Sequence, residues 1–352
     1  MNQPSTSALM PLGLLYGAAM RARMALYRKG VLASFDLGVP VISVGNITTG
    51  GTGKTPAVAW VAQALARDGL RVCILTRGYG RKGAERRVLV SDGERILAEA
   101  KEGGDEPRLL AEMLKGSAAV VSDRDRVAAA RWARERLGSE VFVLDDGFQH
   151  LRVKRELDIV TVDATNPFGG GRLLPQGRLR ESQASLRRAD LIIITRSEQA
   201  ADIYALKREV EQWSGRNNVL ISRTRTGAVR PLALQSHVPS FPASSYRVAA
   251  FCALGNPKAF FRHLERSRFD LTYTRAFTDH HSYAQTDVDR VTREAREHGA
   301  EALLTTAKDA VKLRSLRFEL PCFVVEIELE FENEAALREM LRQATGKSNR
   351  QS

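Results

Sequence analysis

Val39-Pro40-Val41-Ile42-Ser43-Val44-Gly45-Asn46, followed at once by Ile47-Thr48-Thr49-Gly50-Gly51-Thr52-Gly53-Lys54-Thr55, decides how this chain folds. An apolar run of strand length ends at Gly45-Asn46. A glycine-rich turn follows, and Val58, Val61, Ala62 and Leu65 then recur at the period of a helix. Strand, turn and helix in that order put backbone N–H groups at a helix N-terminus, where glycines let an anion come close. The stretch Thr48, Thr49, Gly50, Gly51, Thr52, Gly53, Lys54 and Thr55 is therefore a candidate nucleotide-phosphate loop. In it Lys54 would bridge the terminal phosphates and the Thr55 hydroxyl would ligate Mg²⁺. Thr48 stands where the strict G-x-x-x-x-G-K-[ST] pattern has its first glycine, so the loop has the variant G-G-x-G-K-T form.

Downstream, Val141-Phe142-Val143-Leu144 is a buried-strand pattern that delivers Asp145 and Asp146 at its C-terminal end, where parallel sheets bind ligands. One of the two carboxylates is expected to hold the Mg²⁺ shell. Strands expected at 71–76, 118–122, 141–144, 158–162, 191–195 and 218–223 alternate with helices at 105–115, 124–137 and 201–213, and Arg87 to Ile96 reads as a hairpin around Asp92-Gly93. This rhythm predicts an α/β fold: a P-loop nucleotide-binding domain with a mostly parallel sheet. Pro231, Pro239 and Pro242 break it, and strands near 247–252, 301–305 and 322–327 form a second, smaller α/β domain. The expected division is an N-terminal amphipathic helix in 1–38, the P-loop core in 39–225, a linker in 226–245, the smaller domain in 246–331, and a helix at 334–345 with a polar tail in 332–352.

The 352 residues carry 53 Lys and Arg against 41 Asp and Glu, a net charge of +12 that calls for anionic partners. Three scattered cysteines in apolar runs, Cys73, Cys252 and Cys322, exclude a disulfide framework, and no Cys/His pattern suggests zinc. No helix–turn–helix, zinc-finger or RNA-binding signature accompanies the charge. Leu9 to Met20 is too short to span a bilayer, and its arginines follow it, unlike a signal peptide. As a helix it gathers Leu12, Leu15, Tyr16, Ala19, Leu26 and Tyr27 on one face, with Arg21 and Arg28 opposite and Arg23 on the apolar face. That suits a helix lying in an anionic membrane interface, or one packed on the domain.

Further strings are Arg77-Gly78-Tyr79-Gly80, Gly104-Asp105-Glu106-Pro107, Asp145-Asp146-Gly147-Phe148-Gln149-His150, Leu179-Arg180-Glu181, Gly255-Asn256-Pro257, Asp279-His280 and Lys308-Asp309-Ala310-Val311-Lys312. With the opening loop, their order resembles the tetraacyldisaccharide 4′-kinase family of lipid A biosynthesis, from the N-terminal helix to about residue 330. Two stretches depart from the family pattern: Leu174-Pro175-Gln176-Gly177-Arg178-Leu179-Arg180-Glu181, and Thr306-Ala307-Lys308-Asp309.

The resemblance implies an ATP- and Mg²⁺-dependent lipid kinase. It would phosphorylate the 4′-hydroxyl of tetraacyldisaccharide 1-phosphate to give lipid IVA at the cytoplasmic face of a bacterial inner membrane. That favours the membrane-interface reading of the first helix. A sugar hydroxyl needs a destination for its proton. The resemblance makes Asp105 the base and His280 its partner, which requires the two domains to close; an Asp after two glycines is otherwise a helix cap. Arg77 and Tyr79 would line the acceptor pocket. Arg180 and Glu181 would sit near the nucleotide or couple domain motion, and Gln149 and His150 would order the site. Lys308 reads as a solvated lysine, or else as one that meets a phosphate, and Asp123 as a helix cap. The alternative is a P-loop ATPase or GTPase switch, or a metallochaperone, with the same loop. Against it, Thr195-Arg196-Ser197-Glu198 lacks the basic and acidic residues of a guanine-reading motif.

Overall fold

The structure, a computed structural model, describes residues 10–78, 81, 86–232 and 247–347. Helix α1 (Met10–Arg28) and strand β1 (Val41–Gly45) lead through the glycine-rich turn into α2 (Lys54–Arg67). Then come β2 (Val72–Thr76), β3 (Arg87–Ser91), α3 (Ala100–Gly103), α4 (Asp105–Met113), β4 (Ala118–Asp123), α5 (Arg126–Leu137) and β5 (Val141–Asp145). β6 (Leu157–Asp163), β7 (Leu191–Thr195), α6 (Ile203–Ser214) and the long β8 (Val219–Pro231) complete the first half. The second half holds β9 (Arg247–Cys252), α7 (Pro257–Arg266), β10 (Asp270–Ala276), α8 (Gln285–Glu297), β11 (Ala302–Thr306), α9 (Ala307–Leu313), β12 (Cys322–Phe331) and α10 (Glu334–Ala344).

These strands form one sheet in the order β10-β9-β11-β12-β8-β7-β6-β1-β5-β2-β4-β3. Among the described residues its pairings are parallel except β3 with β4 and β8 with β12. Every residue of β1, β2, β5, β6 and β7 is buried, as expected of parallel strands covered on both faces. One face of the first half packs Val58, Val61, Ala62 and Leu65 of α2 against Ile42, Val44 and Val143; the other packs α5 against Cys73, Leu75 and Phe142. The second half has its own two layers, around Phe251 and Leu303 on one face and Phe323 and Leu304 on the other.

The antiparallel β8–β12 seam turns the two halves head to head, so the carboxyl ends of both sets of parallel strands face one another across a cleft. Residues 226–231, expected as linker, continue β8 instead. Thr226 pairs with Ile327, Val229 with Val325 and Pro231 with Phe323. The proline falls on the strand's last residue, where a missing N–H donor is harmless. The part of the expected linker from 233 to 245 lies outside the described residues. After β12 the chain returns to the first half, where Phe331, Leu337 and Leu341 join the core beneath α2.

Two local readings change. β3 pairs with β4 rather than making a full hairpin; of that hairpin there stand a Ser91–Ile96 bridge, the Asp92 turn, and the Leu97 and Ala98 N–H groups donating to the Val90 carbonyl. Asp123 does not cap α5. Asp125 does, accepting from the Ala128 N–H, while buried Asp123 pairs with Arg87 at 3.0 Å.

Candidate active site

The turn after β1 is built as its glycines foretell. Gly50 and Gly53 have φ of 107° and 76°, left-handed values that a side chain would strain, and Gly53 caps α2. Thr49 N–H donates to the Arg178 carbonyl at 2.7 Å. The Thr52 hydroxyl is buried, accepting from the Asn46 amide at 2.9 Å and lying 2.9 Å from the Thr161 hydroxyl, while Thr195 donates to the Thr52 carbonyl. Buried Thr48 forms a bridge with Leu179. Gly50 to Thr55 all line the cleft.

β5 delivers the two carboxylates in different states. Asp145, at the strand's end, is 4% exposed. Burial, and then the nearby Glu106, push its pKa up. Asp146 sits just past the strand at φ 53°, with Lys54 Nζ at 2.6 Å from Oδ1 and Arg180 at 2.6 Å from Oδ2. Burial alone would raise its pKa, but these two cations hold it well below the usual carboxylate range. Lys54 also reaches the Asn46 side-chain oxygen at 3.5 Å. Asp145, Asp146 and Thr55 share the lining of one cleft. An all-oxygen set with two carboxylates fits Mg²⁺, which takes one or two carboxylates and fills its shell with water and phosphate.

Asp105 opens α4 with Gly104, at φ 105°, as its cap, so it is a first-turn acid and not the cap itself. Its Oδ2 lies 3.4 Å from His280 Nδ1 and 3.4 Å from Lys312 Nζ. Burial raises its pKa, but the His280 hydrogen bond and the Lys312 charge outweigh this and the net shift is downward. His280 follows β10 at φ 60°, an uncommon value for a side-chain-bearing residue. Its Nε2 stands 3.4 Å from Lys308 Nζ. Lys308 is not a solvated lysine: it is 14% exposed and pairs with Asp279 at 3.1 Å and Glu106 at 3.6 Å.

The cleft between the halves holds about 1420 Å³. It is lined by the phosphate loop and carboxylates, by Arg77, Gln149, His150 and Arg180, by Asp279, His280 and Lys308, and by Tyr16, Met20 and Arg23 of α1. Asp105 is not itself among the lining residues, although its neighbours Glu106 and His280 are; its side chain is 21% exposed. Gln149 donates to the Asn46 carbonyl at 2.9 Å, which ties the segment after β5 to the phosphate loop. Glu181 turns away from the cleft, is buried, and pairs with Arg188 at 3.0 Å. Tyr79 lies outside the described residues.

Helix α1 lays Gly13, Tyr16, Gly17 and Arg23 on the first half. Tyr16 donates to the Arg180 carbonyl at 3.1 Å and Arg23 to the Gln149 carbonyl at 3.2 Å. Arg23 and Tyr16, expected on the apolar face, therefore serve the docked face. Leu12, Leu14, Leu15 and Leu26 stay exposed on another arc of the helix, with Arg21 and Arg28 also exposed. Among the described residues no helix is long and apolar enough to cross a membrane.

Several site residues escaped the sequence reading. Lys312 ends the string from Lys308 quoted above, but no role was read for it. Asp163, at the end of β6, pairs with Arg196 and accepts from Asn256, whose side chain also caps α7. Strand-end position is the signal that would have found Asp163.

A glycine-rich phosphate loop, paired strand-end carboxylates and a second α/β half carrying an Asp–His contact define a P-loop phosphotransferase. The family model described as tetraacyldisaccharide-1-P 4′-kinase matches residues 5–346, and the chain belongs to that family. The tetraacyldisaccharide 4′-kinase of Desulfotalea psychrophila is 40% identical over 319 residues, 89% of each chain. That of Pelobacter propionicus is 39% identical over 338 residues, 96% of this chain and 91% of the other. The crystal structure of LpxK from Aquifex aeolicus in complex with ATP matches with a TM-score of 0.78 at 33% identity, covering 97% of this chain and 99% of that one. This membership disfavours the switch and metallochaperone alternatives.

Proposed function

We propose that this chain transfers the γ-phosphoryl group of ATP to the 4′-hydroxyl of tetraacyldisaccharide 1-phosphate, giving lipid IVA and ADP. The observation that carries the assignment of roles is the Asp105–His280 contact, made between residues 175 apart in sequence beside the phosphate-loop cleft. Asp105 takes the hydroxyl proton as the sugar oxygen bonds to the γ-phosphorus and the bond from that phosphorus to the ADP oxygen breaks. His280 orients Asp105 and, when protonated, supports its negative charge. Lys54 and the amides of Gly50 to Thr55 hold the transferring phosphates, and Arg180 adds a second cation beside them. Thr55, Asp145 and Asp146 would hold Mg²⁺, which neutralises charge on the phosphates when bound. Arg77 would line the acceptor side of the cleft, and Gln149, bonded to the Asn46 carbonyl, would order the site.

The acceptor reading draws support from α1, which lines the cleft on one arc and exposes leucines on another. A helix so placed lies on the cytoplasmic face of the inner membrane with its leucines among acyl chains and Arg21 and Arg28 at anionic headgroups. A lipid then enters the cleft alongside α1. The test is transfer of label from γ-labelled ATP to tetraacyldisaccharide 1-phosphate in detergent micelles, with and without Mg²⁺. Mg²⁺-dependent labelling of the lipid is expected. Release of free phosphate with no labelled lipid would refute the acceptor while leaving the phosphate loop its role.

A further inference from the structure

Thr195-Arg196-Ser197-Glu198, which is no guanine-reading motif, turns its first two side chains on the phosphate loop. The Thr195 hydroxyl donates to the Thr52 carbonyl at 3.0 Å, and Arg196 Nη1 to the Gly51 carbonyl at 2.8 Å. A trans peptide points its C=O and N–H in opposite directions. Holding those two carbonyls therefore aims the Thr52 and Gly53 N–H groups away from the end of β7, the inward-facing arrangement that a phosphate needs. Arg196 makes its contact from a φ of 57°, uncommon for a residue with a side chain.

Arg196 is held in turn by Asp163, at the end of the neighbouring strand β6 and 4% exposed. The carboxylate divides its two oxygens. Oδ1 accepts from the Thr165 N–H at 3.0 Å and the Thr165 hydroxyl at 2.8 Å. Oδ2 takes Arg196 Nη1 and, from the second half, the Asn256 amide at 3.0 Å. The same amide nitrogen donates to the Thr165 hydroxyl at 2.9 Å, while Asn256 Oδ1 caps α7 by accepting from the Ala259 N–H at 3.3 Å. A series of bonds thus runs from α7 through Asn256, Asp163 and Arg196 to the Gly51 carbonyl. Asn256, Arg196 and Gly51 line the cleft.

We infer that Asn256 is a positioning residue for the phosphate loop, setting the loop's amides through Asp163 and Arg196 only when the second half is seated. The residue type fits the task. An amide carries its donor and its acceptor on separate atoms, so one side chain can serve the helix and the carboxylate together. Ser or Asp at 256 would keep the cap and lose the donor at Asp163. Two further bonds seat the same helix start on the first half: Arg178 to the Gly255 carbonyl at 3.2 Å and Gln199 to the Ala259 carbonyl at 3.1 Å. A change at Asn256 therefore cuts the series without releasing α7. The inference rests on the loop holding ATP, and is independent of the acceptor and of the group that takes its proton.

The experiment is equilibrium binding of ATP, with Mg²⁺, to the full chain as wild type, Asn256→Ser, Arg196→Gln and the double variant, with thermal melts alongside. Asn256→Ser should raise Kd for ATP roughly tenfold or more, the worth of a hydrogen bond to a charged group, at an unchanged melting temperature. Arg196→Gln, a shorter side chain, should also raise it. The double variant should bind within about twofold of Arg196→Gln alone, because the series is already cut. Asn256→Asp, which sets a carboxylate against Asp163 and still caps α7, should weaken binding at least as much as Asn256→Ser and serves if that variant does not fold. Losses that multiply in the double variant would overturn the inference, since the two residues would then act separately. So would a folded Asn256→Ser or Asn256→Asp with Kd within twofold of wild type. Absence of ATP binding by the wild type would instead overturn the phosphate-loop reading on which it rests, whereas failure of lipid labelling alone would refute the acceptor and leave this binding pattern as expected.

Discussion

Gly255→Ala offers a direct test of whether turnover needs the two halves as close as they stand here. The loop after β9 presses on the phosphate loop: a Cβ on residue 255 would lie 3.0 Å from the Gly50 Cα, 3.0 Å from the Gly51 nitrogen and 3.1 Å from Asp279 Oδ2. Two of those three atoms are backbone and cannot swing aside. Reaching ordinary contact at 3.4 Å requires the loop to retreat by about 0.4 Å. The retreat carries the Asp279–His280 segment with it, and the His280–Asp105 contact is already long at 3.4 Å. It also disturbs the 3.2 Å bond from Arg178 to the Gly255 carbonyl. Overpacking of this kind costs about 1–3 kcal/mol. If that falls on the closed arrangement alone, kcat/KM for ATP drops roughly 5- to 150-fold. Steady-state kinetics with γ-labelled ATP at saturating lipid, beside a thermal melt, reads the effect. A variant with kcat and KM for ATP both within about twofold of wild type would refute the reasoning, because so close an approach would then not be needed during turnover.

Asp105→Ala should lower kcat by about 10²–10⁴ while leaving ATP affinity nearly unchanged, whereas Lys54→Ala should weaken ATP binding itself. Equilibrium binding of ATP to both variants distinguishes the two; equal losses would contradict the division of labour. Replacing exposed Leu14 and Leu15 by Ser should weaken binding to anionic vesicles by roughly tenfold or more, since burying one leucine is worth about 1.5–3 kcal/mol, and should leave the melting temperature unchanged. Leu337→Ala, at a fully buried position of α10, should destabilise the protein by about 2–5 kcal/mol in urea unfolding. His150 is held neutral: burial first, then Arg126 and its neighbours, lower its pKa to about 3. The unfolded chain therefore binds the extra proton first, and stability is lost as pH falls from about 6.5 toward 3. His150→Gln should flatten that part of the stability–pH curve.

The first half was legible because its signals are local. A buried parallel strand must be apolar throughout, and a phosphate loop must be rich in glycine, so β1, α2 and β5 announce themselves over short windows. β8 was not fully legible. Its outer residues, Thr224 to Pro231, are half exposed and show no apolar run, and they form a strand only because β12 supplies partners about a hundred residues later. β10 left no pattern for a related reason: at the sheet edge, Asp270 to Ala276 is only partly covered and needs no apolar run. At the site, Lys54, Asp145 and Asp146 followed from spacing. Asp105 and His280 came from resemblance, because nothing near either residue encodes a contact across 175 positions. Lys308 was misjudged because polarity predicts solvent, whereas its partners Asp279 and Glu106 exist only in the folded chain.

The path through β8 and back through β12 makes the second half an insertion within the first. Helix α10, which covers α2 beneath the phosphate loop, emerges from the ribosome only after the whole second half has been made. The nucleotide half of the growing chain thus lacks part of its core until α10 has been made, when Leu337 and Leu341 fill that gap. The nascent protein therefore cannot complete its phosphate-loop core before the segment bearing His280 is present. The order of translation keeps a finished ATP-handling core from preceding the half that contributes to the cleft.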